Sequence, residues 1–362
     1  MFVNNKKTAI VYDRINKWGG AERVLLALHE IFPKAPLYTS VYSEKTARWA
    51  KVFPTVYTSF LQKIKFLRTK HELLAPFMPL AFESFDFSGY DTVISVTSEA
   101  AKGIITSPNT KHICYMLTPT RYLWSGYNEY FQRDFKKVIT KPIVKYLRKW
   151  DKVAAQRPDK VIAISTEVRK RIKKYYQRNS EIVYPPVEVN RIKNQESRIK
   201  NQNYYLVVGR LVAYKKVDLV VRAFNELKEK LVIVGIGSQE KYLKRIANKN
   251  IIFTGFVKER QLLEFYKNAK AFIFPQLEDF GITAVEAQAA GVPVIAYKAG
   301  GALDTVIDNR TGIYFEKQTV DSLKEAVLRF KRKKFNRGSI INNAEKFSEE
   351  RFKKDFIKIS KL

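Results

Sequence analysis

Residues 184–208 read YPPVEVNRIKNQESRIKNQNYYLVV, and this stretch decides how the chain is organised. Tyr184-Pro185-Pro186 halts regular structure, because proline lacks an amide donor and keeps its predecessor extended. Residues 189–203 are polar, with repeated Asn, Gln, Lys and Arg. That composition predicts a linker, placed at 187–203. Tyr204-Tyr-Leu-Val-Val208 is then a short apolar run of strand formers. One alternating pattern stops before this stretch and a second begins after it. At 362 residues the chain is long for one domain, so two are expected.

Working outward, short apolar runs alternate with amphipathic helices on both sides. Before the break, strands are predicted at Thr8–Tyr12, Leu37–Val41, Thr92–Val96, Ile113–Met116 and Lys160–Ile164. Helices are predicted at Gly20–Ile31, Val138–Ala155 and Glu167–Tyr176. After the break, strands are predicted at Tyr204–Val208, Leu231–Val234, Ile251–Phe253, Ala271–Phe274 and Val294–Ala296. Alternation of this kind predicts parallel sheets with right-handed crossovers. The fold class is α/β: two doubly wound, Rossmann-like domains, with a cleft between them as the expected ligand site. The boundaries are 1–186, the linker 187–203, 204–339, and a basic amphipathic tail, 340–362, expected to fold as a helix on the first domain.

Composition bounds the partners. The formal charge of +31 calls for acidic ones: nucleic acid, anionic lipid or phosphorylated substrates. Lysine-rich solvated faces are the competing explanation, since the basic residues spread over the whole chain. No zinc finger, RNA-recognition signature or basic zipper is present, so specific nucleic-acid recognition is not expected. Cys114 is the only cysteine, which excludes an internal disulfide framework and suits a reducing compartment. The first residues turn charged too early for a signal peptide. No apolar run approaches the roughly 18 residues of a spanning helix. The expected location is cytoplasmic, with peripheral binding at an anionic membrane surface as a further candidate.

The candidate chemistry lies mostly in the second half. Glu278 and Glu286 flank Phe280-Gly281-Ile282-Thr283, where a helix Ile282–Ala290 should begin. The free amides at a helix start carry partial positive charge and can hold a phosphate. A carboxylate can accept two hydrogen bonds from a vicinal diol, so Glu286 suits a ribose and Glu278 a sugar hydroxyl. The plainer reading is an acidic helix start favoured by the macrodipole. Arg210 and Lys215 follow the strand Tyr204–Val208 and could neutralise a departing diphosphate. Alone they would pass for surface charge, and Lys216 adjoins Lys215. In the first half, Gly19 and Gly20 lie between a strand and a helix, where paired glycines let a ligand approach the backbone. An ordinary tight loop explains them as well.

His29, His71 and His112 are scattered without metal-ligand spacing, and His29 and His112 are read as structural. No Asp-x-Asp pair, Gly-x-Ser-x-Gly elbow or P-loop occurs, so neither a dedicated metal site nor those hydrolase classes are indicated.

Taken in order, these features resemble the family 4 glycosyltransferases of the GT-B fold, and among them the bacterial mannosyltransferase-like enzymes of surface polysaccharide synthesis. The segments that carry the likeness span nearly the whole chain. They are Val11-Tyr12-Asp13, Trp18-Gly19-Gly20-Ala21-Glu22, Met78–Glu83, Ser88–Asp91, Ala101-Lys102-Gly103 and Thr118–Trp124. In the second half they are Gly209-Arg210-Leu211, Tyr214–Asp218, Gly255-Phe256-Val257, Glu278–Glu286, Gly291–Tyr297 and Gly300-Gly301. The resemblance implies transfer of a hexose with retention, from GDP-mannose first or a UDP-hexose second, without a metal or other cofactor. It implies a glycan or lipid-linked acceptor on the side of the first domain, and a nucleotide-sugar on the second. Glu278 would touch the donor sugar, Glu286 the ribose, and Arg210 and Lys215 the diphosphate. Phe280 to Thr283 would line the same pocket, and Gly19 and Gly20 the opposite wall. Many relatives carry histidine where this chain has Leu117, which bears on donor identity.

Phe60–Lys70 alternates bulky apolar and basic residues, and Leu73–Phe82 continues apolar, as a helix on an anionic membrane would. An inward-facing helix would read the same way. Arg169–Lys174 could add to such a surface. The rival functions are a nucleotide-sugar epimerase or phosphorylase on the same scaffold, and an inactive basic protein that docks on membrane or nucleic acid.

Overall fold

A computed structural model describes residues 6–64, 75–127, 134–194 and 203–361. The chain divides into two compact units, 1–184 with 352–362, and 185–351.

The first unit is built on a seven-stranded sheet. Its strands are β1 (Thr8–Tyr12), β2 (Leu37–Thr39), β3 (Val56–Thr58), β4 (Thr92–Thr97), β5 (Lys111–Met116), β6 (Lys160–Ala163) and β7 (Glu181–Ile182). They lie in the order β3-β2-β1-β4-β5-β6-β7, and every pairing is parallel. β1 and β4 are buried on both faces, which is why they read as unbroken apolar runs rather than alternating ones. Helices flank them, among them Gly20–Ile31, Asp134–Ala154 and Thr166–Tyr176. The last of these starts on Ser165, whose hydroxyl accepts the Val168 amide at 3.1 Å.

The second unit repeats the plan with six strands. These are β8 (Tyr204–Val208), β9 (Leu231–Val234), β10 (Ile251–Gly255), β11 (Ala269–Phe274), β12 (Val294–Tyr297) and β13 (Gly312–Phe315). The order is β10-β9-β8-β11-β12-β13, again all parallel. Alternation along β8 supplies both cores. Tyr205 and Val207 pack with Val220, Phe224 and Phe330. Tyr204 turns the other way, and its hydroxyl donates to the Phe265 carbonyl at 2.9 Å. Replacing a buried aromatic such as Phe224 with alanine would cost about 3–5 kcal/mol.

Both sheets are the doubly wound parallel type expected. Three short strands at or near sheet edges, β3, β7 and β13, were not expected. Val189–Asn194, inside the stretch read as a linker, is helical, with Val189 and Ile192 buried; residues 195–202 lie outside the described residues. The tail holds two helices, Arg337–Glu345 and Glu349–Ser360. The first belongs to the second unit. The second carries Phe352 and Phe356, whose rings pack on Tyr115 of β5 with centroids 5.7 and 6.2 Å away. Within Phe60–Lys70, Phe60–Lys63 forms a short 3-10 turn with Leu61 buried and Ile64 exposed after it; residues 65–70, with His71 and residues 73–74, lie outside the described residues.

Candidate functional site

The order of the second sheet reverses between β8 and β11. Loops leaving the carboxyl ends of those strands diverge, and ligands of doubly wound sheets bind there. The loop after β8 holds Arg210 and the turn Ala213–Lys215. The loop after β11 holds residues 275–281 and ends at the helix Ile282–Ala289.

Lys215 bridges the two loops. Its ammonium donates to Oε1 of Glu278, and each side chain is 19% exposed. Both side chains are mostly buried but keep an exposed edge, so their charges stay within reach of a ligand. Lys216 adopts the left-handed conformation that ends the turn and points to solvent. Lys215 is therefore the cation beside Glu278. Arg210 shares the loop, but its guanidinium donates to the Tyr214 hydroxyl at 3.0 Å and is exposed.

The backbone around Glu278 is held from below. Its carbonyl accepts the Gly301 amide at 2.8 Å. A Cβ at Gly301 would strike the backbone of Phe280, so only glycine lets the loop after β12 approach so closely. Phe280 is buried against Phe347, with ring centroids 5.5 Å apart. Gly281 sits at φ 96°, and a Cβ there would enter the Phe274 ring. The chain thus turns into the helix at a position closed to other residues.

That helix starts without a side-chain cap. The Ala284 amide bonds back to the Gly281 carbonyl at 3.0 Å. Gly281, Ile282 and Thr283 are half-buried, so the opening turn meets solvent. Its amides and the helix dipole favour an anion. Glu286, one turn on, is buried, and its Oε2 accepts the Tyr266 hydroxyl at 2.9 Å. The structure therefore gathers Lys215, Glu278 and residues 280–283 at one end of the second sheet, with Glu286 on the same helix.

Gly19 and Gly20 belong to the first unit. Gly19 precedes the helix Gly20–Ile31 in extended backbone. A Cβ on it would lie 3.1 Å from Oε2 of Glu22. Glu22 is buried, and its Oε1 accepts the Tyr12 hydroxyl at 3.2 Å. Burial holds its carboxyl above the usual range, and its own amide, the Tyr12 hydroxyl, Lys17 and the Gly19 amide only partly oppose the rise. This helix start already faces a carboxylate of its own chain.

The first unit also holds polar side chains that the sequence reading quoted without a role or passed over. Asp13 is buried and accepts from the Ser98, Ala100 and Ala101 amides at 2.7–2.9 Å, and from the Thr97 hydroxyl at 2.9 Å. It gathers the loop that follows β4. Lys102 and Asp151 form a buried ion pair at 2.6 Å. Asp151 also accepts from Thr120 at 2.8 Å, Trp124 at 2.7 Å and Tyr176 at 2.6 Å. Two segments of the resemblance, 101–103 and 118–124, are joined by this network. Asp151 had a signal: it lies at an inward position of the helix, in step with Val144, Leu147 and Ala154. Glu99 pairs with Arg14 at 2.7 Å and accepts the Tyr122 hydroxyl at 2.9 Å. Burial raises its carboxyl, and Arg14 opposes the rise.

His112 is fully buried, with Nε2 2.8 Å from the Ser95 hydroxyl. Burial, reinforced by Arg157 and Arg178, pushes its pKa down to about 3. Leu117, half-buried, bonds through its amide to the Thr97 carbonyl at 2.8 Å and brings no polar side chain. Among the described residues, no three of His, Cys, Asp and Glu are grouped to hold a metal ion, and no helix is long and apolar enough to cross a membrane.

Residues 188–347 match the family described as Glycosyl transferases group 1. An uncharacterized glycosyltransferase of Methanocaldococcus jannaschii is 32% identical over 177 residues, covering 45% of each chain. A GDP-mannose-dependent alpha-(1-6)-phosphatidylinositol monomannoside mannosyltransferase of Mycolicibacterium smegmatis is 33% identical over 138 residues, 33% of this chain and 36% of that one. The matches thus span about half or less of these relatives. Among solved structures, Anabaena HepE in complex with UDP-glucose superposes with a TM-score of 0.70 at 18% identity, covering 98% of this chain and 100% of that one. The two Rossmann-like sheets are those of the GT-B fold.

Proposed function

We propose that this chain, in which residues 188–347 are a group 1 glycosyl transferase domain, moves a hexose from a nucleotide-diphosphate sugar to a glycan or lipid-linked acceptor, with retention. The Lys215–Glu278 contact across the strand-order reversal, beside an open helix start, carries this reading. A bound diphosphate would draw the Lys215 ammonium toward itself and add the helix amides as donors. Glu278 would then be free to accept from sugar hydroxyls. As the glycosidic bond breaks, charge grows on the departing phosphate, and Lys215 and Arg210 would stabilise it. Glu286, fixed by Tyr266, would accept from the ribose. The scheme calls for no metal, no cofactor and no protein nucleophile.

Mannose from GDP-mannose is the first donor, in keeping with the GDP-mannose-dependent mycobacterial relative; a UDP-hexose is the second, in keeping with the HepE complex. Purified protein offered a panel of nucleotide-sugars with acceptor should release one nucleoside diphosphate. Dependence on acceptor separates transfer from epimerisation. Lys215→Ala should lower kcat by about 10²–10³. Glu286→Gln, which keeps an acceptor for Tyr266, should weaken nucleotide binding about tenfold. A protein that binds no nucleotide-sugar would end the proposal.

A further inference from the structure

Next to the loop and the helix that carry Glu278 and Glu286, the second unit buries two side-chain amides, Gln288 and Asn343. Gln288 belongs to the helix Ile282–Ala289, and Asn343 to the helix Arg337–Glu345. Nδ2 of Asn343 donates to Oε1 of Gln288 at 2.8 Å and to the Thr305 carbonyl at 2.9 Å. Nε2 of Gln288 donates to the same Thr305 carbonyl at 2.8 Å and to the Ala284 carbonyl at 3.2 Å. Oδ1 of Asn343 accepts from the Lys346 ammonium at 3.1 Å, which fixes the way its amide points. Each amide nitrogen therefore has two acceptors for its two hydrogens, and the Thr305 carbonyl gives both lone pairs to side chains.

Thr305 ends the one-turn helix Ala302–Thr305, which follows Gly300-Gly301. Its hydroxyl donates to the Gly301 carbonyl at 3.1 Å. The Gly301 amide holds the Glu278 carbonyl, and a Cβ at Gly300 would strike that same carbonyl. Hydrogen bonds thus run from Asn343 through Thr305 and Gly301 to the backbone of Glu278. A second branch runs through Gln288 to the helix that carries Glu286. Phe347, four residues beyond Asn343, packs on Phe280 of the same loop. Apolar side chains could fill this space without the cost of burying amides. Their contacts are non-directional and would leave the register of loop and helix free to slide, whereas directed hydrogen bonds fix it.

We infer that Asn343 is a positioning residue for the donor site: with Gln288 it sets the loop bearing Glu278 at one place against the helix bearing Glu286. Its consequence rests on the transfer reading, in which Glu278 meets the sugar and Glu286 the nucleotide. A loosened loop then misaligns the sugar while the nucleotide stays gripped. A displacement of about 1 Å is enough to slow a reaction severely.

Asn343→Ala should lower kcat about tenfold and leave the affinity for nucleoside diphosphate unchanged. Gln288→Met should act alike, and the double variant should lose little more than either, because both break one network. Val327→Ala opens a cavity in the core that holds Phe224, so it weakens the same unit elsewhere and should keep kcat. Amide exchange gives a readout that needs no turnover: Gly301 should exchange faster in Asn343→Ala than in Val327→Ala. If the wild type transfers no sugar, the transfer reading fails, and the Gly301 comparison still decides the positioning. Unchanged kcat in both network variants would overturn the inference. So would an equal loss in Val327→Ala, or Gly301 exchange that follows global stability alone.

Discussion

A buried histidine shows how a single residue sets a pH limit. His112 titrates near 3 in the fold and near 6.5 when unfolded. Its folded value is depressed, so the unfolded chain binds more protons across that window. The stability it contributes is present above about pH 6.5 and is lost as pH falls toward 3. Between pH 7 and pH 5 the loss should be about 2 kcal/mol. His112→Gln keeps a partner for Ser95 and removes the titration. Urea unfolding at the two pH values should show the wild type losing that margin and the variant not. Glu286 teaches a different lesson at this scale. Its place eight residues after Glu278 was legible, but its Tyr266 partner was not, because that tyrosine comes from a helix 20 residues upstream. Lys215 was the residue named, but in one dimension the adjacent Lys216 could be mistaken for it. The left-handed turn at Lys216 separates them in three.

At the scale of elements, the Lys102–Asp151 pair ties the loop after β4 to the loop after β5 and to two helices. Breaking a buried pair leaves an uncompensated charge. Lys102→Met should therefore destabilise the first unit by about 3–5 kcal/mol, measured by denaturant unfolding, with Trp124 fluorescence as a local reporter. Such a network is nearly invisible in sequence, since its members come from residues 102, 120, 124, 151 and 176. Strands were easier. β8 and β9 stood out because both faces are buried and every residue is apolar or aromatic. β3 and β7 were missed for the opposite reason: they lie at sheet edges, are short, and leave most positions exposed or half-buried. β13 is buried throughout but opens on Gly312, which reads as a turn. A Cβ there would meet the Val294 carbonyl, so the glycine permits the close approach of β12. The helix Val189–Asn194 was hidden by its polar letters, with only Val189 and Ile192 facing inward.

For the whole molecule, repetition was the readable feature, because two alternating patterns with a proline-rich break require two sheets. A ligand held by the second unit alone should stabilise that unit alone. At about a hundred times its Kd, the matching nucleoside diphosphate should add about 2.7 kcal/mol. A thermal scan with GDP and with UDP would show which one raises the transition. The units are not, however, consecutive lengths of chain. The helix Glu349–Ser360 crosses from one to the other, and Lys111 of β5 donates to the Ser360 carbonyl at 2.6 Å. During synthesis the half translated first must therefore wait with bare aromatic flank until Phe352 and Phe356 have left the ribosome. The half translated second needs nothing beyond residue 351 and can close before it.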